Sequence, residues 1–265
     1  MKYNNFLEHN KLSHLHDEKT IFFCKTDYIL QDFETIAKLN NTVILITGNS
    51  DYPITDHIIS LAPKNIKKWY AVNALTHNPM IEPIPLGLEN QYFSLRDNHG
   101  IGYPERASLK ETILQNIDKN YIPTKFLYCN FNISTNPDHR QKVYNIAKKL
   151  NHITIDQPNL SLHDFFKKIQ DHKMTVCPAG NGIDTHRLWE VLYCGRIPIT
   201  INLANYKIYD LYSRLPIIIL DKIEDLLNYD LIEHKYNTII STKYNLDILD
   251  SSYWIDKILY DTKSN

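Results

Sequence analysis

Short apolar runs of three to seven residues take turns with stretches whose apolar positions recur every three or four. That alternation predicts strands and helices in succession. In the first half, 20–24, 42–47, 66–72 and 81–84 read as strands. Helices are predicted at 28–39, through Ile29, Phe33, Ile36 and Leu39, and at 56–61. The run 42–47 (TVILIT) is apolar enough to be buried on both faces. The pattern lapses over 90–107, where Gly100, Gly102 and Pro104 predict a long loop, and resumes with a helix at 107–117. A second series follows, with strands at 125–129, 153–155, 173–177, 197–201 and 216–220. Its helices are predicted at 137–150, 161–172, from 184 or 185, at 204–212 and at 222–229, with a last amphipathic helix at 251–260. Residues 1–19 read as a polar lead-in. Strict alternation of this kind argues for parallel, doubly wound α/β sheets. The break near residue 120 predicts two of them in tandem.

The most informative stretch is 173–201, a strand, a turn, a helix and a second strand. Two of the chain's seven glycines, Gly180 and Gly182, fall in the turn. Asp184 or Thr185 is placed to cap the helix, because a short side-chain oxygen accepts from the free N–H groups of the first turn. Leu188, Val191 and Leu192 give the helix a buried face, and Gly195 stands where a left-handed stop belongs. A helix N-terminus behind a glycine turn suits an anion. His186, Arg187 and Glu190 share the other side of this helix. Arg187 could fork onto phosphate oxygens, and Glu190 could accept from ribose hydroxyls. Spacing alone would make them a surface pair worth a few tenths of a kcal/mol, and the glycine turn tips the reading towards a ligand. Neither G-x-G-x-x-G nor G-x-x-x-x-G-K-[ST] occurs.

The composition narrows the partners. The 265 residues carry a net charge of −1, so nothing draws the whole chain to nucleic acid or to an anionic membrane. Any phosphate affinity must be local. No apolar run approaches the roughly 18 residues of a membrane helix. Cys24, Cys129, Cys177 and Cys194 show no CxxC spacing and read as reduced core thiols, so a cytoplasmic protein is expected. The twelve histidines form no HExxH, and there is no D-x-D, so they read as scattered surface imidazoles and no metal is expected.

On the first half, Asp51 follows a central strand at the edge where open α/β sheets bind ligands. It is the first candidate for a general base, although a turn aspartate before Tyr52-Pro53 is the plainer reading. Glu89 is the reserve, and Asp27 reads as a helix cap. Asn130, Thr135 and Arg140, after the strand 125–129, fit either a phosphate site or a polar turn. Trp69, Tyr70, Trp189 and Tyr193 are expected in the core.

The segment CPAGNGIDTHRLWEVLYCGRIPIT resembles the donor-binding motif of exostosin-like glycosyltransferases. The matching positions are Gly180, Asn181, Gly182, Asp184, His186, Arg187, Glu190, Gly195, Ile197, Pro198 and Ile199. FLYCNFNISTNPDHR, with Asn130, Asn132, Thr135, Asn136 and Arg140, is similar to the bacterial and viral branch of that family, as are ILITGNSDYPI, WYAVN and PIPLGLEN. The resemblance implies a GT-B fold, two Rossmann-like domains facing a cleft. Residues 1–120 would take the acceptor, 121–250 the nucleotide-diphosphate sugar, and the helix in 251–265 would cross back onto the first domain. It further implies inverting transfer to a glycan or glycoconjugate, with Arg140 as a second cation for the diphosphate. With no D-x-D, the helix N-terminus, Arg187 and Arg140 are expected to hold that charge without a metal or other cofactor. One departure is Gly48, where the branch commonly carries a histidine. The competing class is a non-catalytic relative that binds a glycan or nucleotide.

Overall fold

The computed structural model describes residues 5–91, 104–204 and 206–263. The first half runs α1 (His9–Ser13), β1 (Ile21–Lys25), α2 (Ile29–Ile36), β2 (Val43–Gly48), β3 (Ile54–Thr55), α3 (Asp56–Ser60), β4 (Ile66–Ala71), β5 (Ala74–Leu75) and β6 (Ile81–Pro83). After α4 (Pro104–Gln115) come β7 (Lys125–Cys129), α5 (Pro137–Ala147), β8 (Ile153–Ile155), α6 (Leu162–Asp171) and β9 (His172–Val176). The chain then continues through α7 (His186–Tyr193), β10 (Ile197–Ile201), α8 (Ile208–Tyr212), β11 (Ile218–Leu220), α9 (Tyr229–Ser241) and α10 (Ser251–Lys263).

The fold is mixed α/β with parallel sheets, as the alternating pattern predicts. One sheet has the order β1-β2-β4-β6, a second β11-β10-β9-β7-β8, and β3 pairs with β5 in a small third; every one of these pairings is parallel. Residues alternate across each strand. Ile21 and Phe23 join Ile44, Ile46 and Tyr70 in a core that also contains Phe165, Leu188, Trp189, Tyr193 and Trp254. Phe22, Cys24, Leu45 and Trp69 bury the other face of the first sheet, and Leu127, Met174, Val176 and Ile199 that of the second. The four cysteines are buried thiols that form no disulfide with one another. Trp69, Tyr70, Trp189 and Tyr193 are fully enclosed, which removes them as stacking surfaces. Helix α10 lies against the first sheet, where Asp261 accepts from the Tyr70 hydroxyl at 2.5 Å and pairs with Lys68 at 2.7 Å.

Several elements differ from the sequence reading. The lead-in, within its described residues, is packed. Phe6, Leu7 and Leu12 are buried, the Leu7 N–H donates to the Tyr193 hydroxyl at 3.1 Å, and the Leu7 carbonyl accepts from Leu88 N at 2.8 Å. Three apolar anchors among many polar residues carry no period, so the sequence conceals them. The helix expected at 222–229 is a 3₁₀ turn (Ile223–Leu227), after which Asn228 caps the longer α9 by accepting from Leu231 N. Ile232 and Ile239, seven apart, are the buried residues of α9, too sparse a stripe to read beforehand. Asp27 is not a cap: it lies in a 3₁₀ turn and pairs with Lys25 at 3.6 Å. The histidines are not all on the surface, since His9 and His172 are buried. Of the loop expected over 90–107, residues 92–103 lie outside the described residues, and α4 already begins at Pro104.

If the lead-in is core, Leu12→Ala should cost about 2–5 kcal/mol. Urea unfolding measures it. A loss below about 0.5 kcal/mol would mean that the segment is only draped over the surface.

Candidate functional site

The twelve residues singled out by sequence all line one cavity of about 410 Å³. A second cavity, of about 560 Å³, shares Asp51, Leu86, Asn181 and His186 with it. Both are walled by loops that leave the carboxyl ends of strands: β1 and β2 in one sheet, β7 and β9 in the other.

The turn after β9 explains its glycines by close approach. A Cβ on Gly180 would stand 2.9 Å from Arg140 Nη2, and one on Gly182 would stand 2.8 Å from the Asn73 amide. Neither glycine has a positive φ, whereas Gly195 does, at 67°, as the helix stop requires. Asp184 is not the helix cap. Thr185 holds that position, and its side chain makes no capping bond. The buried Asp184 carboxylate accepts instead from Leu86 N–H (2.8 Å), Thr185 N–H (2.9 Å), Trp189 Nε1 (2.8 Å) and the Tyr212 hydroxyl (2.8 Å). Its own backbone N–H donates to Asn73 Oδ1 at 2.9 Å. Burial pushes the Asp184 carboxyl up to about 6 despite these donors. The start of α7 is therefore pinned to the first half from both sides, with its first-turn N–H groups uncapped by Thr185.

Arg187 and Glu190 are not a surface pair. Glu190 is 3% exposed; Oε2 accepts from Arg187 Nε at 3.2 Å and Oε1 from Lys110 Nζ at 2.6 Å. Lys110 also reaches Glu89 Oε1 at 2.9 Å. These cations hold the Glu190 carboxyl down to about 2 against its desolvation. Lys110 escaped the sequence reading, yet a signal existed. It sits between Ala107 and Leu114 on the buried stripe of α4, and a lysine on that stripe needs an anionic partner. Glu89, tied to Lys110, is not a free base.

The guanidinium of Arg187 also donates to the Asn130 carbonyl and lies 4.1 Å from the Phe165 ring centroid, and among the described residues its Nη2 has no acceptor. Arg140 donates to three backbone carbonyls: Ala179 from Nε (2.9 Å), Asn132 from Nη1 (2.8 Å) and Pro178 from Nη2 (3.4 Å). It has no carboxylate partner among the described residues. Burial, and then repulsion from Arg187, lower its guanidinium to about 10. The Asn130 amide is spent on the carbonyls of Asp156 and Gln157, so this residue shapes the wall. Thr135 packs its methyl towards Gly180. An apolar wall of Phe131, Pro158, Leu160, Leu162 and Phe165 completes the cavity, none of it singled out by sequence.

Across the cavity, Asp51 is exposed and accepts from Asn181 Nδ2 at 3.2 Å, bridging the two halves. Gly48 has a physical reason: a Cβ there would lie 2.1 Å from Nδ1 of His9, so the space is already held by an imidazole from α1. Asn10, Asn49 and Asn90 form a buried amide chain beside it. Among the described residues, no group of three or more His, Cys, Asp or Glu side chains is placed to hold a metal ion, and no helix is long and apolar enough to cross a membrane.

No family model and no curated protein sequence matches the chain. A solved structure of an α1,3-fucosyltransferase with GDP-fucose aligns over 89% of this chain and 85% of its own, with a TM-score of 0.41 and 11% identity. A likeness at that level carries no functional argument, and the cavity itself must supply one.

Lys110→Met should destabilise the fold by about 3–5 kcal/mol by leaving Glu190 short of a counter-charge. Adding Glu190→Gln should recover much of that loss. A double variant as unstable as the sum of the single changes would mean that the two groups are not coupled.

Proposed function

We propose that this chain is a glycosyltransferase of the GT-B type, moving a sugar from a nucleoside-diphosphate sugar to a glycan or glycoconjugate hydroxyl. The observation that carries the reading is the pair of guanidiniums, Arg140 and Arg187, at one cavity beside the uncapped start of α7. Arg140 is buried next to a like charge, and among the described residues its hydrogen bonds go only to carbonyls. Two such groups brought together cost energy unless an anion joins them, and a diphosphate supplies two negative phosphates in the required place. Arg187 Nη2, the remaining Arg140 donors and the first N–H groups of α7 would receive it. The apolar wall from Phe131 to Phe165 suits a nucleobase. Glu190 keeps spare lone pairs for a ribose hydroxyl, because a carboxylate accepts about four hydrogen bonds.

With the diphosphate there, the sugar would point towards the boundary shared with the second cavity, and an acceptor in that cavity would attack from the far side. Such a displacement inverts the anomeric centre, and the two cations stabilise the departing diphosphate as its charge grows. On this reading the chain's own donors would meet that charge without a metal. Placement in the exostosin-like branch rests on the motif at 177–200, supported by the segments at 126–140, 44–54, 69–73 and 83–90.

The test is release of nucleoside diphosphate from a panel of UDP-, GDP- and dTDP-sugars, with p-nitrophenyl glycosides as acceptors. Acceptor-dependent release is expected for at least one donor. Arg187→Ala should weaken nucleoside-diphosphate binding at least tenfold by calorimetry while the circular dichroism spectrum is unchanged. Binding heat without product from any donor would make the chain a binding module. Equal affinity in Arg187→Ala would remove this cavity as the donor site.

A further inference from the structure

We propose that His186 is the catalytic base, the group that takes the proton of the acceptor hydroxyl; the inference rests on the transfer reaction proposed above. Four residues line both cavities, and of these only Asp51 and His186 can accept a proton. The imidazole is already set for the task. Nδ1 of His186 lies 2.9 Å from the Gly87 carbonyl, which can only accept, so Nδ1 carries the hydrogen. In the neutral ring the lone pair is then on Nε2, which has no hydrogen-bond partner among the described residues. His186 opens α7, so its ring is carried by the helix start that Asp184 pins to the first half.

The holder of this ring is itself rigid. Within Pro85-Leu86-Gly87, the Pro85 carbonyl accepts from His9 Nε2 (2.8 Å), the Leu86 N–H donates to Asp184, and the Gly87 carbonyl accepts from His186. Gly87 has φ 71°, and a Cβ there would stand 2.2 Å from the Leu7 carbonyl, so the carbonyl that orients His186 depends on glycine. His9 is no rival base, because its Nδ1 is closed off against Gly48. Asp51 is exposed and shared with Asn181, and its place at the boundary suits a contact that orients the acceptor.

The step balances without a further reactant. The acceptor oxygen bonds to the anomeric carbon as its proton passes to Nε2. The bond from that carbon to the diphosphate oxygen breaks, and its electron pair leaves with the nucleoside diphosphate. The imidazolium then returns the proton to water. General-base catalysis of this kind contributes about 10²–10⁴-fold.

His186→Asn keeps a donor for the Gly87 carbonyl and removes the lone pair. With the donor of the panel that the wild type turns over, kcat should fall at least 100-fold while nucleoside-diphosphate affinity stays within threefold. Asp51→Asn should raise the acceptor KM and lower kcat by less than His186→Asn does. In His186→Gly, added imidazole should restore rate in proportion to its concentration, which a purely structural role would not allow. Wild-type-like turnover in His186→Asn, with a 100-fold loss in Asp51→Asn, would overturn the proposal and leave the transferase reading standing. A folded His186→Gly that imidazole does not rescue would also overturn it. Failure of the wild type to turn over any donor would remove the transferase reading and this assignment with it.

Discussion

The buried carboxylate of Asp184 is the interaction on which the cavity depends. It collects donors from Leu86 in the first half and from Thr185, Trp189 and Tyr212 in the second, while Asn73 holds the adjoining N–H. Enclosing a carboxylate is costly unless its lone pairs are filled. These donors fill them only when both halves are in register. The start of α7 is thereby fixed against the first sheet, and with it the side chains of His186, Arg187 and Glu190. Gly182 belongs to the same arrangement, because only glycine lets Asn73 come close enough.

Charges are then arranged in two tiers. Lys110 between Glu89 and Glu190, and Glu190 between Lys110 and Arg187, form a buried chain that neutralises itself and orients Arg187. Arg140, braced by three carbonyls and lacking a carboxylate, is left as the unneutralised cation. A site built this way draws an anion to one wall although the whole chain is nearly neutral. The opposite boundary, where Asp51 and His186 meet both cavities, has the groups for proton transfer. Separation of an anion-holding wall from a proton-accepting boundary is what a displacement at the sugar requires.

Much of this was legible in the sequence because it depends on period and local chemistry. Alternating runs specify parallel strands, and the glycines, Arg187 and Glu190 mark the turn and helix at the cavity. The roles of individual side chains were less legible because they depend on contacts far apart in the chain. Asp184 resembles a cap in its local context, and only Leu86 and Tyr212 reveal it as a latch. Arg140 looks like a free cation until Asn132, Pro178 and Ala179 are seen to surround it. Lys110 and His9 were overlooked, one inside a helix of weak amphipathic character and the other in a lead-in without period. The stripe on α4 hints that Lys110 needs an anion, but the identity of a partner 80 residues away leaves no mark on local pattern.

The central claim is that Arg140, Arg187 and the start of α7 hold a diphosphate. The most direct measurement is an experimental structure of the chain with GDP or UDP bound. The account predicts phosphate oxygens within hydrogen-bond distance of Arg187 Nη2 and of the first N–H groups of α7, with the base against Phe131 and Phe165. A diphosphate seated in the second cavity beside Lys25, or away from both arginines, would contradict it.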